Sequence, residues 1–228
     1  MINIHSLLGV GTPELAAAVS NAGALGIFAI HNAGSPSEAR NWIRKMKTLT
    51  SKPWGVNLTI LPTMGTPPDY DGFAAVIIEE GVKYVETAGS SPAKFIPLFK
   101  SKGLFTIHKC VTVRHALSAQ KLGVDLISLD GFEAAGHVGE GDVGNVVLMA
   151  KAAKVLKTPY IMSGGVGDGK QLVAAIALGA CGVNMGTRLE QIFVNACFLL
   201  HFSLHQQILC HSRVHVAQIF QRCHGCCQ

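Results

Sequence analysis

The chain has 228 residues, of which 49% are hydrophobic and 14% charged, and its formal net charge is +5. This composition excludes a disordered chain, and without a dense Lys/Arg cluster it does not favour nucleic-acid binding. No apolar run reaches the roughly 18 residues that span a bilayer, and residues 1–5 have no signal-peptide pattern, so we expect a cytoplasmic protein without membrane contact.

Helices and short apolar segments alternate from residue 6 to 188. Thr12-Pro13 predicts the start of the first helix and Ser35-Pro36 that of the second, because a capping hydroxyl precedes a proline in the first turn. Further helices are predicted at 73–80, from Ser91 to Phe99, from Thr112 to Gly123, at about 145–156 and at 172–178. Seven segments are predicted as buried strands: 24–30, 54–60, 82–87, 104–108, 124–127, 160–162 and 181–185.

Repeated strand–helix units with short connections indicate a parallel sheet that is buried on both faces. Seven strands are one fewer than in a (β/α)₈ barrel. An open doubly wound sheet is the alternative, and it predicts a glycine-rich phosphate loop after the first strand. Here the glycine-rich loop lies near the end of the strand series.

A small-residue loop with one histidine follows the fifth strand, at residues 128–140. Glycines there allow the backbone to approach a ligand, and the imidazole of His137 can exchange a proton near neutral pH. A catalytic loop and an ordinary turn with a solvent-exposed histidine are both consistent with this pattern.

Two more loops suit a phosphate group. Residues 163–169 run Ser-Gly-Gly-Val-Gly-Asp-Gly between a strand and a helix, and Gly186-Thr187-Arg188 follows the next strand. Paired loops after the last two strands of a barrel commonly hold a cofactor phosphate, although glycine-rich turns without a ligand are the alternative. Asn57 and Lys109 lie at strand ends and would face the same barrel mouth as Asp130 and His137.

Five segments, in this order, resemble the nitronate monooxygenases, formerly called 2-nitropropane dioxygenases. They are Thr12–Gly23, Gly55–Leu58, Asp130–His137, Ser163–Val166 and Asn184–Arg188, and the resemblance covers residues 6–188. It implies an α/β fold, a TIM (β/α)₈-type barrel that is incomplete here. It also implies FMN-dependent oxidation of alkyl nitronates or nitroalkanes by O₂ to a carbonyl compound and nitrite.

The resemblance also implies site residues. His137 falls on the family's catalytic histidine, the base for neutral nitroalkanes. The implied FMN contacts, together with the glycine-rich loop, are Asn57, Lys109, Asp130, Ala135, Gly136, Gly164, Gly165, Asn184, Met185, Gly186 and Thr187. The family often has Gln at the positions of Asp130 and Asn184 and Gly at that of Ala135, which leaves the substrate open. The family's first strand and the segments after its eighth strand are not recognisable.

The composition changes at about residue 189, which predicts a barrel domain at 1–188 and an unrelated tail at 189–228. The tail holds five of the seven cysteines and five of the ten histidines. Their spacing fits no zinc module, so no metal site is predicted, with zinc binding as the alternative.

Two other functions stay open. One is an FMN-dependent NAD(P)H enoyl-thioester reductase, and the other is a truncated, catalytically inactive product that only binds FMN. The expected partners are the small-molecule substrate and O₂, and a homo-oligomer is left open.

Overall fold

A computed structural model of the chain describes residues 11–61, 67–135 and 141–189. The strands are β1 (Gly26–Ala29), β2 (Trp54–Ile60), β3 (Tyr84–Gly89), β4 (Phe105–Cys110), β5 (Leu126–Asp130), β6 (Tyr160–Ser163) and β7 (Val183–Asn184). The α-helices are α1 (Pro13–Asn21), α2 (Pro36–Leu49), α3 (Tyr70–Glu79), α4 (Phe95–Ser101), α5 (Val113–Lys121), α6 (Asn145–Val155) and α7 (Gly169–Ala177), and a 3₁₀ turn covers Ile30–Ala33.

All neighbouring strands are parallel, and their order in the sheet is the order in the chain. A doubly wound sheet would reverse its strand order at a switch point, so that alternative is excluded. The prediction of a TIM-barrel-type fold is confirmed, and so is the count of seven strands for the described residues.

Local sequence signals set most helix ends. Asp168 begins α7 with a complete capping box, in which its side chain and that of Gln171 bond each other's backbone N–H groups. The predicted start of the fourth helix at Ser91 is wrong, because α4 begins at Phe95. Pro97 is then the third helical residue, where its missing N–H is not needed, whereas a start at Pro92 would place it inside the helix.

The two faces of the sheet bury different cores. Toward the helices, the strands bury two apolar clusters that contain Phe28, Val85 and Leu129. The opposite face encloses a smaller cluster, which includes Ile107 and Leu126. Because side chains alternate along a strand, Lys109 and Asp130 share this inner face with the two apolar residues, nearer the carboxyl ends of the strands.

The described sheet ends at β1 and β7. Leu189, just after β7, packs against Leu15 and Val19 of α1, so the last described residue lies close to the first helix. Among the described residues, no helix is long and apolar enough to cross a membrane.

Candidate active site

Polar side chains gather on the inner face at the carboxyl ends of the strands. Asn57 pairs in register with Glu86 across β2 and β3, and Asp130 lies in register with Ser163, which is in register with Asn184. Strand ends of a barrel meet at one rim, so the register gathers these residues at a single mouth.

Asn57 and Glu86 form the most tightly bonded part of this rim. Both residues are fully buried, and Asn57 Nδ2 donates to Glu86 Oε2 over 2.6 Å. Asn57 Oδ1 accepts a 2.6 Å hydrogen bond from Thr59 Oγ1. The orientation of the Asn57 amide is therefore fixed at both of its ends.

Lys109 lies between two carboxylates. Its Nζ is 3.7 Å from Asp130 Oδ2, and the two side chains are only 14% and 12% exposed. Burial acts to lower the pKa of Lys109, but Asp130 and Glu86 outweigh it, so the pKa is raised. Lys109 is therefore a charged ammonium inside the barrel and not a surface lysine.

The inner face also keeps polar atoms that the described residues do not satisfy. Asp130 Oδ1 and Ser128 Oγ are buried, and within the described ranges neither has a hydrogen-bond partner. Buried polar atoms are normally paired, so this part of the interior is suited to a ligand that donates hydrogen bonds.

The loop after β5 is held to the start of α6. Both carboxylate oxygens of Glu133 accept from the backbone N–H of Asn145, at 3.1 and 3.0 Å, and Phe132 N donates to the carbonyl of Val143. Ala135 is exposed. The predicted residues Gly136 and His137 lie outside the described residues.

Asn145 joins this loop to the loop after β6. Its Nδ2 donates to the carbonyls of Ser163 (2.8 Å) and Gly164 (2.7 Å). Gly164 and Gly165 have positive φ values of 91° and 68°. A Cβ on Gly164 would lie 2.7 Å from the backbone N of Ala134. Both glycines are therefore required for this loop packing, whether or not a ligand binds there.

Only part of the glycine-rich loop can present backbone donors. Gln171 Oε1 accepts from Gly167 N and Asp168 N, and Asp168 Oδ1 accepts from Lys170 N and Gln171 N. Within the described ranges, the backbone N–H groups of Gly165, Val166, Gly186 and Thr187 are among those on the two loops that have no acceptor.

The last predicted contacts lie at the end of β7. Asn184 is buried and Met185 is half-buried, whereas Thr187 is exposed. A Cβ on Gly186 would meet no heavy atom within 4 Å, so this loop borders open space. The N–H groups of Gly186 and Thr187 thus lie in the loop after β7, the strand next to β6 and its glycine-rich loop.

The sequence analysis assigned no role to four of these polar residues: Thr59, Glu86, Glu133 and Asn145. An acid at an inward position of a predicted buried strand was a usable signal for Glu86. Nothing in the local pattern marks Asn145 as a link between two loops. In the described part of the chain no group of three His, Cys, Asp or Glu residues is arranged to hold a metal, and the Cys/His-rich segment lies outside it.

The sequence matches the nitronate monooxygenase family over residues 5–192. The chain therefore belongs to this family. Curated nitronate monooxygenases from Paraburkholderia phytofirmans and Pseudomonas aeruginosa are both 32% identical to it, over 79% of this chain and 60% and 63% of their own length.

Another relative carries a different name. A protein of Rhodococcus jostii named (3aS,4S,5R,7aS)-5-hydroxy-7a-methyl-1-oxo-octahydro-1H-indene-4-carboxyl-CoA dehydrogenase is 34% identical over 78% of this chain and 48% of its own. The chain thus spans between about half and two thirds of the length of these three relatives.

Solved structures agree with the fold. FabK from Thermotoga maritima superposes with a TM-score of 0.74 and 36% identity, over 82% of this chain and 58% of that one. A nitroalkane oxidase from Streptomyces ansochromogenes has a TM-score of 0.76 at 24% identity, over 83% and 65% of the two chains, which supports the fold alone.

Proposed function

We propose that this chain forms the catalytic barrel of an FMN-dependent oxidoreductase that oxidises alkyl nitronates with O₂ to a carbonyl compound and nitrite. The observation that carries the proposal is the charged inner rim around Lys109, next to two loops with free backbone N–H groups. Membership of the nitronate monooxygenase family supports it.

The residues of the rim fit the two polar ends of FMN. The pyrimidine edge of a flavin presents carbonyl oxygens and one N–H donor. Lys109 offers a cationic donor, and Asp130 Oδ1 is a buried acceptor without a partner among the described residues. At the other end, the free N–H groups of Gly165, Val166, Gly186 and Thr187 suit a phosphate.

The flavin, when bound, would take electrons from the substrate and pass them to O₂. Lys109 supplies a positive charge that is present before the cofactor binds, because Asp130 and Glu86 raise the pKa of its ammonium and Asp130 pairs with it. A preorganised charge stabilises developing negative charge in a buried site without a cost of reorganisation. Asn57, Ala135, Gly136, Asn184 and Met185 remain predicted contacts of the cofactor.

His137 would act on the substrate. A neutral nitroalkane must lose its α-proton before it is oxidised, and we assign this proton to the imidazole of His137. A nitronate has already lost that proton and does not need the base. The described residues on either side of the His137 segment are bonded to each other, because Asn145 N donates to Glu133 and Phe132 N donates to the carbonyl of Val143.

An enoyl-thioester reductase that uses NAD(P)H is the second candidate. It is favoured by the 34% identity to a protein whose name contains a CoA thioester. Asp130 stands where the family often has Gln. This difference changes the polar groups of the rim and is compatible with either substrate class.

One set of measurements separates these functions. The purified chain should carry flavin absorbance, consume O₂ with an alkyl nitronate and release nitrite. NAD(P)H oxidation that depends on an enoyl thioester would favour the reductase instead. Bound flavin without either activity would indicate an inactive FMN-binding product. The domain limits at 1–188 and 189–228, a homo-oligomer and a cytoplasmic location remain predictions.

A further inference from the structure

We propose that Glu86 is a positioning residue that fixes the amide of Asn57 and adds a second negative charge near the ammonium of Lys109 on the inner rim. The inference rests on the proposed function where it concerns the cofactor, because Asn57 and Lys109 are predicted to contact it. The geometry of the three residues does not depend on the cofactor.

The first contact orients Asn57. A carboxylate only accepts hydrogen bonds, so the 2.6 Å contact to Glu86 Oε2 must come from the Nδ2 end of the amide. Thr59 donates to the opposite end of the same amide. Without Glu86, the nitrogen end would lose its acceptor and the amide could rotate away from this orientation.

The second contribution is electrostatic. Glu86 on β3 is in register with Ile107 on β4, so it lies two positions from Lys109 on the same inner face. Glu86 and Asp130, which lies on β5 at the other side of β4, both raise the pKa of Lys109. Glu86 is fully buried, so little water screens its charge. Because two carboxylates face one ammonium, the removal of Glu86 would leave Lys109 with Asp130 alone, at 3.7 Å.

A purely structural role for Glu86 makes a different prediction. Glutamine has nearly the same shape as glutamate and still offers one oxygen that can accept from Asn57. If Glu86 only fills space and accepts a hydrogen bond, Glu86→Gln should change nothing at Lys109. If the charge of Glu86 matters, the same substitution should change the titration of Lys109.

The deciding experiment uses the full chain without flavin. The side-chain ¹³Cε signal of Lys109, assigned with Lys109→Arg, is followed by NMR as the pH is raised. We expect the pKa of Lys109 to fall in Glu86→Gln. The matched control is Glu38→Gln, because Glu38 also accepts from an asparagine amide (Asn41, 3.2 Å) but lies exposed on α2. An unchanged titration in Glu86→Gln would overturn the electrostatic half of the proposal.

A second measurement tests the orientation of Asn57 through FMN affinity. Because an Asn57 amide that has rotated would no longer present the same group to the flavin, we expect Glu86→Ala to weaken FMN binding by roughly tenfold or more. Glu86→Gln should weaken it less, since the acceptor remains. Equal affinities of Glu86→Ala and wild type for FMN would overturn the part of the proposal that concerns the orientation of Asn57. A wild-type chain that binds no FMN would refute the proposed function instead, while the lysine titration would still decide the role of Glu86.

Discussion

The two faces of β3 and β4 bury polar residues in opposite ways. On the face toward the helices, Thr87 Oγ1 and His108 Nδ1 are 2.9 Å apart. Burial lowers the pKa of His108 to about 4, so the ring is neutral at pH 7. At neighbouring positions that face the barrel interior, Glu86, just before Thr87, is fully buried, and Lys109, just after His108, is a largely buried ammonium.

The difference shows that burial alone does not mark a functional site. A buried charge is costly, and the helix-facing side avoids this cost by keeping His108 neutral and bonded to Thr87. The inner side keeps three charges and an acceptor at Asp130 that is unpaired among the described residues. Such an arrangement contributes little to stability compared with apolar packing, so we attribute it to ligand binding.

The largest expected effect is a loss of nitroalkane turnover, which separates two histidines. His137→Asn should reduce turnover of neutral nitroalkanes by about 10²–10⁴-fold, the usual cost of losing a general base, and change nitronate turnover much less. His108→Asn should leave the ratio of the two rates unchanged, because His108 lies on the helix-facing side. Steady-state O₂ consumption with both substrates provides the measurement, and equal losses on both in His137→Asn would contradict the assignment.

The next effect concerns the lysine of the inner face. Lys109→Met leaves Glu86 and Asp130 buried without their cation, and breaking a buried charge pair in this way typically costs about 3–5 kcal/mol. Urea denaturation should show this loss in the free energy of unfolding. Lys102→Met, on an exposed lysine after α4, is the control and should stay close to wild type. A wild-type stability in Lys109→Met would show that the two carboxylates do not need the ammonium.

The free energy of unfolding should depend on pH because of a histidine on the helix-facing side. The pKa of His108 is about 4 in the folded protein, whereas an ordinary histidine has a pKa of 6.5. Between these values the unfolded chain binds a proton that the native protein does not, so stability falls as the pH drops from about 6.5 to 4. At about 1.4 kcal/mol per pH unit, His108 contributes a loss of about 3 kcal/mol. Urea titrations of wild type and His108→Gln should differ in this slope, and identical slopes would show that His108 is not the cause.

The smallest expected effect concerns the loop above the inner face. Glu133→Ala removes the carboxylate that accepts from Asn145 N at the start of α6, and loss of a helix cap costs about 0.5–2 kcal/mol. Because the same loop carries His137, nitroalkane turnover should fall with stability. Glu38→Ala on α2 is the exposed control. Unchanged turnover and stability in Glu133→Ala would mean that this cap does not hold the loop.

The sequence alone determined the repeating units and the loops of the site. Apolar strand segments, capping residues such as Asp168 and glycines after strands are local signals, and they predicted seven strands in the right order along the chain. The local signal at Ser91 predicted the wrong helix start, because a residue further along the chain, Pro97, limits where α4 can begin. The resemblance to the family, carried by short motifs, agreed with the match over residues 5–192.

Only the tertiary structure decided which side chains meet. Strand register placed Asn57 opposite Glu86, residues that are 29 positions apart in the chain, and placed Lys109 beside Asp130. The same packing showed that Gly164 and Gly165 serve the contact with the loop after β5, so Gly165→Val would disturb that contact even without a cofactor. Hydrogen bonds and charge interactions depend on distances of a few ångströms between distant segments, and a one-dimensional pattern does not contain those distances.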